Sequence, residues 1–315
     1  MLIDADIKFA KISFNSKVNT KKLRIDMSVT VLINPMQKKR NSLKPHTFFN
    51  TFIVDKIPLY YYHVTMSNQK NGDIKLAIVT PTYNEAKNIP ILVKKLKKYI
   101  KNIKGIFFTL IIVDDNSPDG TGNIADLLSK TEKMSNFNIE VLHRKQKNGL
   151  GKAYIDSFKI LLDKNYDYIL QMDADLSHNP KYINNFVKEI KQDRDFVVAS
   201  RYIPGGGTPD WGLFRKFLSK SGNLYTRLLL GNTITDYTGG YNLFSTKLLR
   251  KLDFDKLQTS GYGFLIELKY NALKHCHSAK QFPIVFLDRR HGKSKIPKNT
   301  IINNLLLVIK IRYKK

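Results

Sequence analysis

The feature that decides the fold is a short apolar run ending in two acidic residues, Tyr168-Ile169-Leu170-Gln171-Met172-Asp173-Ala174-Asp175. An apolar run of this length predicts a buried strand, here residues 168–172. In a parallel sheet flanked by helices, the carboxyl ends of the strands line a crevice that binds ligands. We therefore expect Asp173, Ala174 and Asp175 to lie at such a crevice.

Further apolar runs on both sides of this stretch predict a repeated strand–helix unit. They predict strands at residues 76–79, 110–113, 139–142 and 196–200. Helices are predicted between them, beginning near Asn88, Thr121, Gly151 and Pro180. Strands that alternate with helices at this spacing are typical of an α/β fold with a mostly parallel, doubly wound sheet and helices on both faces.

The chain is strongly basic, with 53 Lys and Arg residues against 26 Asp and Glu residues among 315, a formal net charge of +27. This charge suggests a polyanionic partner: a nucleic acid, an anionic membrane surface or a phosphorylated substrate. An AT-rich genome, which raises the content of Lys, Asn and Ile, is the alternative explanation and stays open. The single cysteine, Cys276, excludes an internal disulfide framework and a cysteine-based zinc site.

The two ends of the chain differ from its centre. Residues 1–73 are rich in Lys, Asn, Ser and Thr without a sustained period, which predicts a poorly ordered N-terminal extension ending in a linker at residues 67–73. They also lack the pattern of a signal peptide. Residues 74–295 are predicted to form the α/β domain and residues 296–315 a C-terminal helix. No apolar run approaches the roughly 20 residues that span a bilayer.

Polar and acidic residues follow three of the predicted strands, at residues 80–85, 114–115 and 173–175. One aspartate at a strand end is commonly a turn or helix cap, but three clusters on one sheet edge favour a functional site. Two carboxylates as close in sequence as those of Asp173 and Asp175 repel each other unless a cation lies beside them. Mg²⁺ or Mn²⁺ takes oxygen ligands and leaves positions for phosphate oxygens, so the pair predicts a metal and diphosphate site.

Several motifs together resemble the inverting family-two glycosyltransferases, beginning with residues 81–85, 113–121 and 172–178. Later motifs resemble the polyprenyl-phosphate branch, which includes the dolichol-phosphate mannose synthases: Ser200-Arg201-Tyr202, Arg215-Lys216, Asp236-Tyr237-Thr238-Gly239-Gly240-Tyr241, Gly261-Tyr262-Gly263-Phe264 and Asp288-Arg289-Arg290-His291-Gly292-Lys293-Ser294-Lys295. The likeness covers about residues 75–312. It implies a GT-A, Rossmann-like fold. It also implies transfer of mannose from GDP-mannose to dolichyl or another polyprenyl phosphate, for glycosylation and GPI-anchor pathways.

The resemblance implies roles for individual residues. The guanine nucleoside would lie against Pro81, Tyr83, Glu85 and Asp115, and the metal and diphosphate would be held by Asp173, Ala174 and Asp175. Donor phosphates or the reacting centre would be contacted by Arg201, Arg289 and Lys295, which with Asp175 make up the implied catalytic set.

The lipid phosphate would be bound by Arg215 and Lys220. The family often has Arg at position 220, followed by Gly-Ala where Ser221-Gly222 stands, so Lys220 keeps the charge but loses bidentate geometry. A solvated helix face over Arg215, Lys216 and Lys220 is the open alternative.

A phosphate monoester as acceptor would need no general base. Its second pKa is about 6, so it is largely dianionic at neutral pH and can attack the anomeric carbon directly. Catalysis then consists of holding the two substrates in position and stabilising the charge that develops in the transition state, with inversion at carbon one. Asp173 and Asp175 are expected to hold the leaving diphosphate through the metal and not to act as a base.

A polyprenyl phosphate lies in a bilayer, so the enzyme must reach a membrane surface. Residues 299–313 predict an amphipathic or short apolar helix with a basic end, which suits the interface of an anionic membrane. An ordinary helix docked on its own domain is the open alternative. We expect peripheral attachment to the cytosolic face, of the endoplasmic reticulum in a eukaryote, with small membrane-anchoring subunits as further partners.

Other functions explain less of the sequence. A related enzyme that moves another sugar, for example from UDP-glucose, is the closest alternative because its nucleotide half would look much the same. A basic nucleic-acid-binding protein is supported by charge alone and does not explain three acidic strand ends, so nucleic acid is not the expected partner. A degenerate enzyme serving as a scaffold conflicts with the intact acidic motifs.

Overall fold

The computed structural model describes residues 10–14, 27–31, 73–257, 262–288 and 300–313. The chain divides into two compact units, Met1–Met66 and Ser67–Lys315. In the first unit, strands β1 (Ala10–Phe14) and β2 (Met27–Val31) pair antiparallel, with Ala10 opposite Val31. Apart from these two strands and residue 73, the predicted N-terminal extension and linker lie outside the described residues. Both therefore stay predictions.

The second unit alternates strands and helices from residue 74 onward. Its strands are β3 (Ile74–Thr82), β4 (Ile106–Asp114), β5 (Phe137–His143), β6 (Tyr168–Gln171), β7 (Phe196–Ser200), β8 (Asn242–Ser245) and β9 (Ala279–Pro283). Its helices are α1 (Ile89–Ile100), α2 (Thr121–Thr131), α3 (Leu150–Leu162), α4 (Ile183–Ile190), α5 (Leu213–Leu230), α6 (Thr246–Leu249), α7 (Tyr262–His275) and α8 (Thr300–Tyr313). The predicted strands and helices between residues 74 and 200 are all present, and a 3₁₀ turn at Pro180–Tyr182 precedes α4.

The strands form one seven-stranded sheet in the order β5-β4-β3-β6-β8-β7-β9. Strands β5, β4, β3 and β6 are parallel to one another, and β7 is parallel to β9. Strand β8 is antiparallel to both β6 and β7, between which it lies. The mostly parallel sheet is therefore confirmed. The antiparallel insertion of β8 is an addition that the sequence pattern does not predict.

Helices cover both faces of the sheet, as expected. Successive residues of β3 point to opposite faces, so Leu76 and Ile78 pack in one core cluster and Ala77 and Val79 in another. The first cluster takes its helical partners from α1, α2 and α4, and the second from α3 and α5 to α8. This burial on both faces explains why residues 76–79 of β3 are all apolar.

Helix α8 packs on the domain with one side only. Val308 and Ile311 are buried in the same cluster as α7, and α8 contacts α5 and α7. Leu306, Ile309 and Tyr313 remain exposed. None of the helices in the described part of the chain is both long and apolar enough to cross a membrane.

Candidate active site

Three neighbouring strands end on the same edge of the sheet and carry the acidic clusters there. Thr82 of β3 is in register with Asp114 of β4, and Val79 of β3 with Gln171 of β6. Because these strands are parallel, the residues that follow them emerge together. The structure thus brings the segments 83–85, 115–117 and 172–175 to one edge of the sheet.

The loops at these strand ends share a left-handed backbone residue. Asn84 has φ 61°, Asn116 has φ 56° and Leu176 has φ 68°. Asparagine tolerates this region because its short side chain bonds locally, whereas leucine does so at a steric cost. The strain at Leu176, directly after Asp175, marks this turn as one that the surrounding structure holds in place.

The acidic triplet is positioned by its own turn. Oδ1 of Asp175 accepts hydrogen bonds from the backbone N–H (3.1 Å) and the hydroxyl (2.6 Å) of Ser177. The backbone N–H of Asp173 donates to Nδ1 of His178 at 2.9 Å. Burial lowers the pKa of His178, against the attraction of Asp173, so the ring is neutral and Nδ1 can accept. Its ring stacks on Tyr241, with centroids 4.8 Å apart.

A glycine-rich segment, residues 236–240, approaches the triplet from β8. A Cβ at Gly240 would lie 3.4 Å from Cε1 of His178 and 3.5 Å from Oδ1 of Asp173. A Cβ at Gly239 would lie 3.0 Å from Oδ2 of Asp236, which is tighter than ordinary contact. A Cβ at Gly240 would thus be in ordinary contact with the triplet, whereas one at Gly239 would crowd the carboxylate of Asp236.

The donor set at the triplet fits a hard divalent cation that shares its coordination with a substrate. Asp173 keeps its side chain 34% exposed, and Asp175 follows on the same turn. Within the described ranges, no group of three or more His, Cys, Asp and Glu side chains is placed to hold a metal. Two carboxylates without further protein ligands suit Mg²⁺ or Mn²⁺, which bind through one or two carboxylates plus phosphate oxygens and water.

The residues predicted to hold the nucleoside lie in a second polar region. Asp115 forms an ion pair with Arg144, whose other nitrogen bonds Asp156 at 3.0 Å. Burial raises the pKa of Asp115, although Arg144 opposes the shift. Nζ of Lys147 lies 3.9 Å from the ring centroid of Tyr83.

Glu85 is held in the same region by its neighbours. Its Oε2 accepts from the amide of Asn88 at 2.6 Å, and its backbone N–H donates to the hydroxyl of Thr121 at 2.9 Å. Pro81, in β3, pairs with Val113 of the adjacent strand. The four residues predicted to hold the nucleoside are therefore held by contacts with β4, with the segment after β5, with Asn88 and with the start of α2.

Arg201 follows β7 and is bound in a buried ion pair. Its Nε and Nη2 each lie 2.7 Å from an oxygen of Asp236, and Nη2 also donates to Thr238 at 2.8 Å. Burial alone would raise the pKa of Asp236, but Arg201 and Lys269 lower it well below its usual range. Lys269 is fully buried and donates to the backbone carbonyl of Asp236 at 2.7 Å. The guanidinium is thus rigidly oriented beside the glycine-rich segment.

The residues assigned to the lipid phosphate lie on α5. Arg215 is in its first turn, with its guanidinium 3.9 Å from the ring centroid of Trp211 and 3.1 Å from Asp288. Lys220 is exposed farther along the helix. Arg289 and Lys295 lie outside the described residues, so their predicted roles stay predictions.

Four further residues, to which the sequence motifs assign no role, contact predicted site residues in the structure. Arg144, His178, Asp236 and Trp211 each orient a predicted site residue. His178 and Asp236 lie within two of the motifs that resemble the glycosyltransferase family, residues 172–178 and 236–241. This position is the sequence signal that could have identified them. Arg144 could be suspected only from its position after β5, because its partner Asp115 lies 29 residues away.

Comparison with known proteins identifies the family to which this fold and this edge of carboxylates belong. The model of glycosyl transferase family 2 matches residues 77–253. The chain belongs to glycosyl transferase family 2. This family-2 enzyme is 35% identical to the undecaprenyl-phosphate mannosyltransferase of Micrococcus luteus, over 71% of this chain and 88% of that protein. It is 36% identical to the polyprenol monophosphomannose synthase of Mycolicibacterium smegmatis, over 71% of this chain and 82% of that protein.

Solved structures agree on the fold of this family-2 glycosyltransferase. Glucosyl-3-phosphoglycerate synthase from Mycobacterium tuberculosis, in complex with Mn²⁺, UDP-glucose and phosphoglyceric acid, is similar with a TM-score of 0.53 and 18% identity, over 76% of this chain and 78% of that chain. Mannosyl-3-phosphoglycerate synthase from Rubrobacter xylanophilus is similar with a TM-score of 0.53 and 17% identity, over 76% and 73%. The predicted GT-A fold is confirmed.

Proposed function

We propose that this enzyme transfers mannose from GDP-mannose to the phosphate of a dolichyl or other polyprenyl phosphate, with inversion at the anomeric carbon. The observation that carries the proposal is the 35% identity to an undecaprenyl-phosphate mannosyltransferase of which the chain covers 88%. The site supports it, because carboxylates at the end of β6 are combined with arginines that follow β7 and begin α5. A diphosphate leaving group and a phosphate acceptor call for these two kinds of side chain.

The reaction needs little proton chemistry from the protein. An oxygen of the acceptor phosphate forms the new bond to carbon one while the bond from carbon one to the donor diphosphate breaks, and GDP leaves with the electron pair. Because the acceptor is already an anion, no general base is required. The buried neutral His178 accepts a backbone hydrogen bond and serves to orient Asp173.

Charge compensation is then the main task of the site. Asp173 and Asp175 would hold Mg²⁺ or Mn²⁺, which neutralises the departing diphosphate. The similar Mycobacterium tuberculosis enzyme binds Mn²⁺ together with UDP-glucose. Arg201, oriented by Asp236, and Arg215 would stabilise phosphate charge on the other side of the transferred sugar.

The acceptor requires contact with a membrane surface, and the proposal includes peripheral binding through α5 and α8. Five apolar side chains of α5 are between 53% and 86% exposed: Leu213, Phe214, Phe217, Leu224 and Leu228. Basic residues of both helices accompany them, including Lys216, Lys220 and Lys310. An exposed apolar face with a basic border suits an anionic lipid interface. A cytosolic face of the endoplasmic reticulum, small anchoring subunits and a role in GPI-anchor synthesis are the finer parts of this proposal.

The decisive experiment is a donor screen on the purified protein with a short-chain polyprenyl phosphate as acceptor. We expect a mannosyl lipid from GDP-mannose, loss of product with EDTA, and recovery with Mg²⁺ or Mn²⁺. If product forms from UDP-glucose and not from GDP-mannose, the transferred sugar is glucose and the proposed donor is wrong. Absence of transfer from either donor, in a protein that is folded by circular dichroism, would overturn it.

A further inference from the structure

Trp211 contacts the two arginines that flank the proposed transfer site. It lies just before α5 and is 7% exposed. The guanidinium carbon of Arg215 lies 3.9 Å from its ring centroid and that of Arg201 lies 5.5 Å away. Phe286 closes the cluster, with its ring 5.7 Å from the indole at 76°. One side chain therefore links the arginine paired with Asp236 to the arginine at the start of α5.

The indole nitrogen of Trp211 is a buried donor whose acceptor is missing. Nε1 has almost no accessible surface and no hydrogen-bond partner in the described part of the protein. Buried polar groups are nearly always paired, and each exception calls for an explanation such as a ligand. Guanidinium groups are the charged neighbours of this ring. They are donors themselves and cannot accept the indole proton.

The local charge points to an anion as the missing acceptor. The first turn of α5 contains no acidic residue, while Arg215 and Lys216 lie in it. Cations at a helix N-terminus oppose the favoured direction of the helix dipole, and a bound anion relieves this arrangement. Asp288, which accepts from Arg215 at 3.1 Å, offsets part of the positive charge.

We propose that the Trp211 indole N–H donates a hydrogen bond to a phosphate oxygen, and that its ring positions Arg201 and Arg215 for the phosphate groups of the reaction. The inference rests on the proposed transfer to a polyprenyl phosphate. The phosphate belongs either to the acceptor monoester or to the donor diphosphate. Arg215 favours the acceptor, because α5 also carries the exposed apolar face that would meet the lipid.

The first test is Trp211→Phe, which removes the N–H and keeps an aromatic face for both arginines. We expect the KM for a short-chain polyprenyl phosphate to rise by about tenfold or more, the effect of one hydrogen bond to a charged group. The KM for GDP-mannose should stay unchanged. The thermal midpoint of the ligand-free protein should not fall, because the variant removes an unpaired buried donor. A rise confined to the KM for GDP-mannose would assign the bond to the donor diphosphate.

Phe286→Leu is the matched control, because it disturbs the same cluster, including the aromatic contact with Arg201, without removing a hydrogen-bond donor. It should lower the thermal midpoint and leave the ratio of the two KM values unchanged. If Trp211→Phe leaves both KM values unchanged, or if Phe286→Leu shifts the acceptor KM equally, the proposal is overturned.

The chain contains a single tryptophan, so its intrinsic fluorescence reports on Trp211 directly. We expect a short-chain polyprenyl monophosphate or GDP to change the emission, and the corresponding free alcohol to leave it unchanged. Equal responses to the phosphate and the alcohol would contradict phosphate recognition by Trp211. Because this titration does not require turnover, its outcome is separate from failure of the proposed transferase activity.

Discussion

At the scale of single residues, Asp175 combines two functions in one carboxylate. Oδ1 accepts both hydrogen bonds from Ser177 and so holds the turn that follows β6. The charge of the same group contributes to the proposed metal and diphosphate site. An alanine at this position would remove both functions at once, whereas an asparagine removes only the charge.

We therefore expect Asp175→Asn to lower kcat/KM by about a hundredfold or more, the usual range for losing a key electrostatic group in an active site. The thermal midpoint should change by only a few degrees, because the amide oxygen still accepts from Ser177. Product formation at saturating GDP-mannose and thermal unfolding measure the two effects. Near-normal turnover in the variant would contradict the metal assignment. Ser177→Ala, which leaves the charge intact, is the control and should reduce kcat/KM much less.

Lys269 gives the buried ion pair a pH dependence. Burial lowers the pKa of Lys269 to about 7, more than the attraction of Asp236 raises it. The unfolded chain holds this proton up to an ordinary pKa of about 10.4, so between these limits it binds more protons than the folded protein. The energetic cost of burying the charged lysine is fully present below pH 7 and declines as the pH rises toward 10.

The free energy of unfolding of the wild type should therefore increase from pH 7 to pH 10 relative to that of Lys269→Met, by at most about 1.4 kcal/mol per pH unit. Urea unfolding of both proteins at pH 7, 8 and 9 measures the difference, in which groups common to both cancel. Parallel pH profiles would show that Lys269 does not release its proton in the folded state.

At the scale of elements, α5 is a helix with two unlike sides. Asn223, Thr226 and Leu230 are buried against the domain. Leu224 and Leu228, four residues apart, belong to the opposite, exposed side. A soluble surface seldom presents so many large apolar side chains on one helix unless a partner covers them. Together with the outward side of α8, this face is the element that would meet the bilayer.

Replacing two of these side chains tests that role. The double variant Leu224→Ser, Leu228→Ser should reduce binding to vesicles containing anionic phospholipid by about tenfold or more, because each leucine contributes roughly 1.5–3 kcal/mol on burial. Vesicle co-sedimentation measures the binding, and circular dichroism checks the fold. Leu127→Ser on α2, where the leucine is 60% exposed outside this face, is the control and should bind as the wild type does.

At the scale of the whole molecule, the order of strands creates the site. Placing β6 next to β3 sets the acidic triplet beside the loops of β3 and β4. The antiparallel strand β8 then enters from the opposite direction, so the glycine-rich segment before it, residues 236–240, lies at the same edge. The segment that follows β7 supplies Arg201. Residues from both halves of the sheet thus meet at the same edge of the sheet.

Much of this architecture is encoded locally, and that part was predictable. Most residues of the strands at 74–82, 106–114 and 168–171 are buried on both faces, so the composition of these strands is largely apolar, and each strand ends at a polar residue. Such signals depend only on neighbouring residues. They determined the mostly parallel α/β fold, the helices between the strands and the acidic clusters at the strand ends.

The tertiary structure alone decided which distant residues became partners. Asp236 pairs with Arg201 across 35 positions, and Asp115 pairs with Arg144 across 29. The exposed positions of α5 and the buried position 230 are occupied by the same residue type, leucine. Only packing against the domain distinguishes the two sides of the helix. Pairing, strand order and exposure depend on contacts between segments far apart in the chain. A local pattern contains no information on those contacts, so the sequence determined the acidic edge and the fold determined what surrounds it.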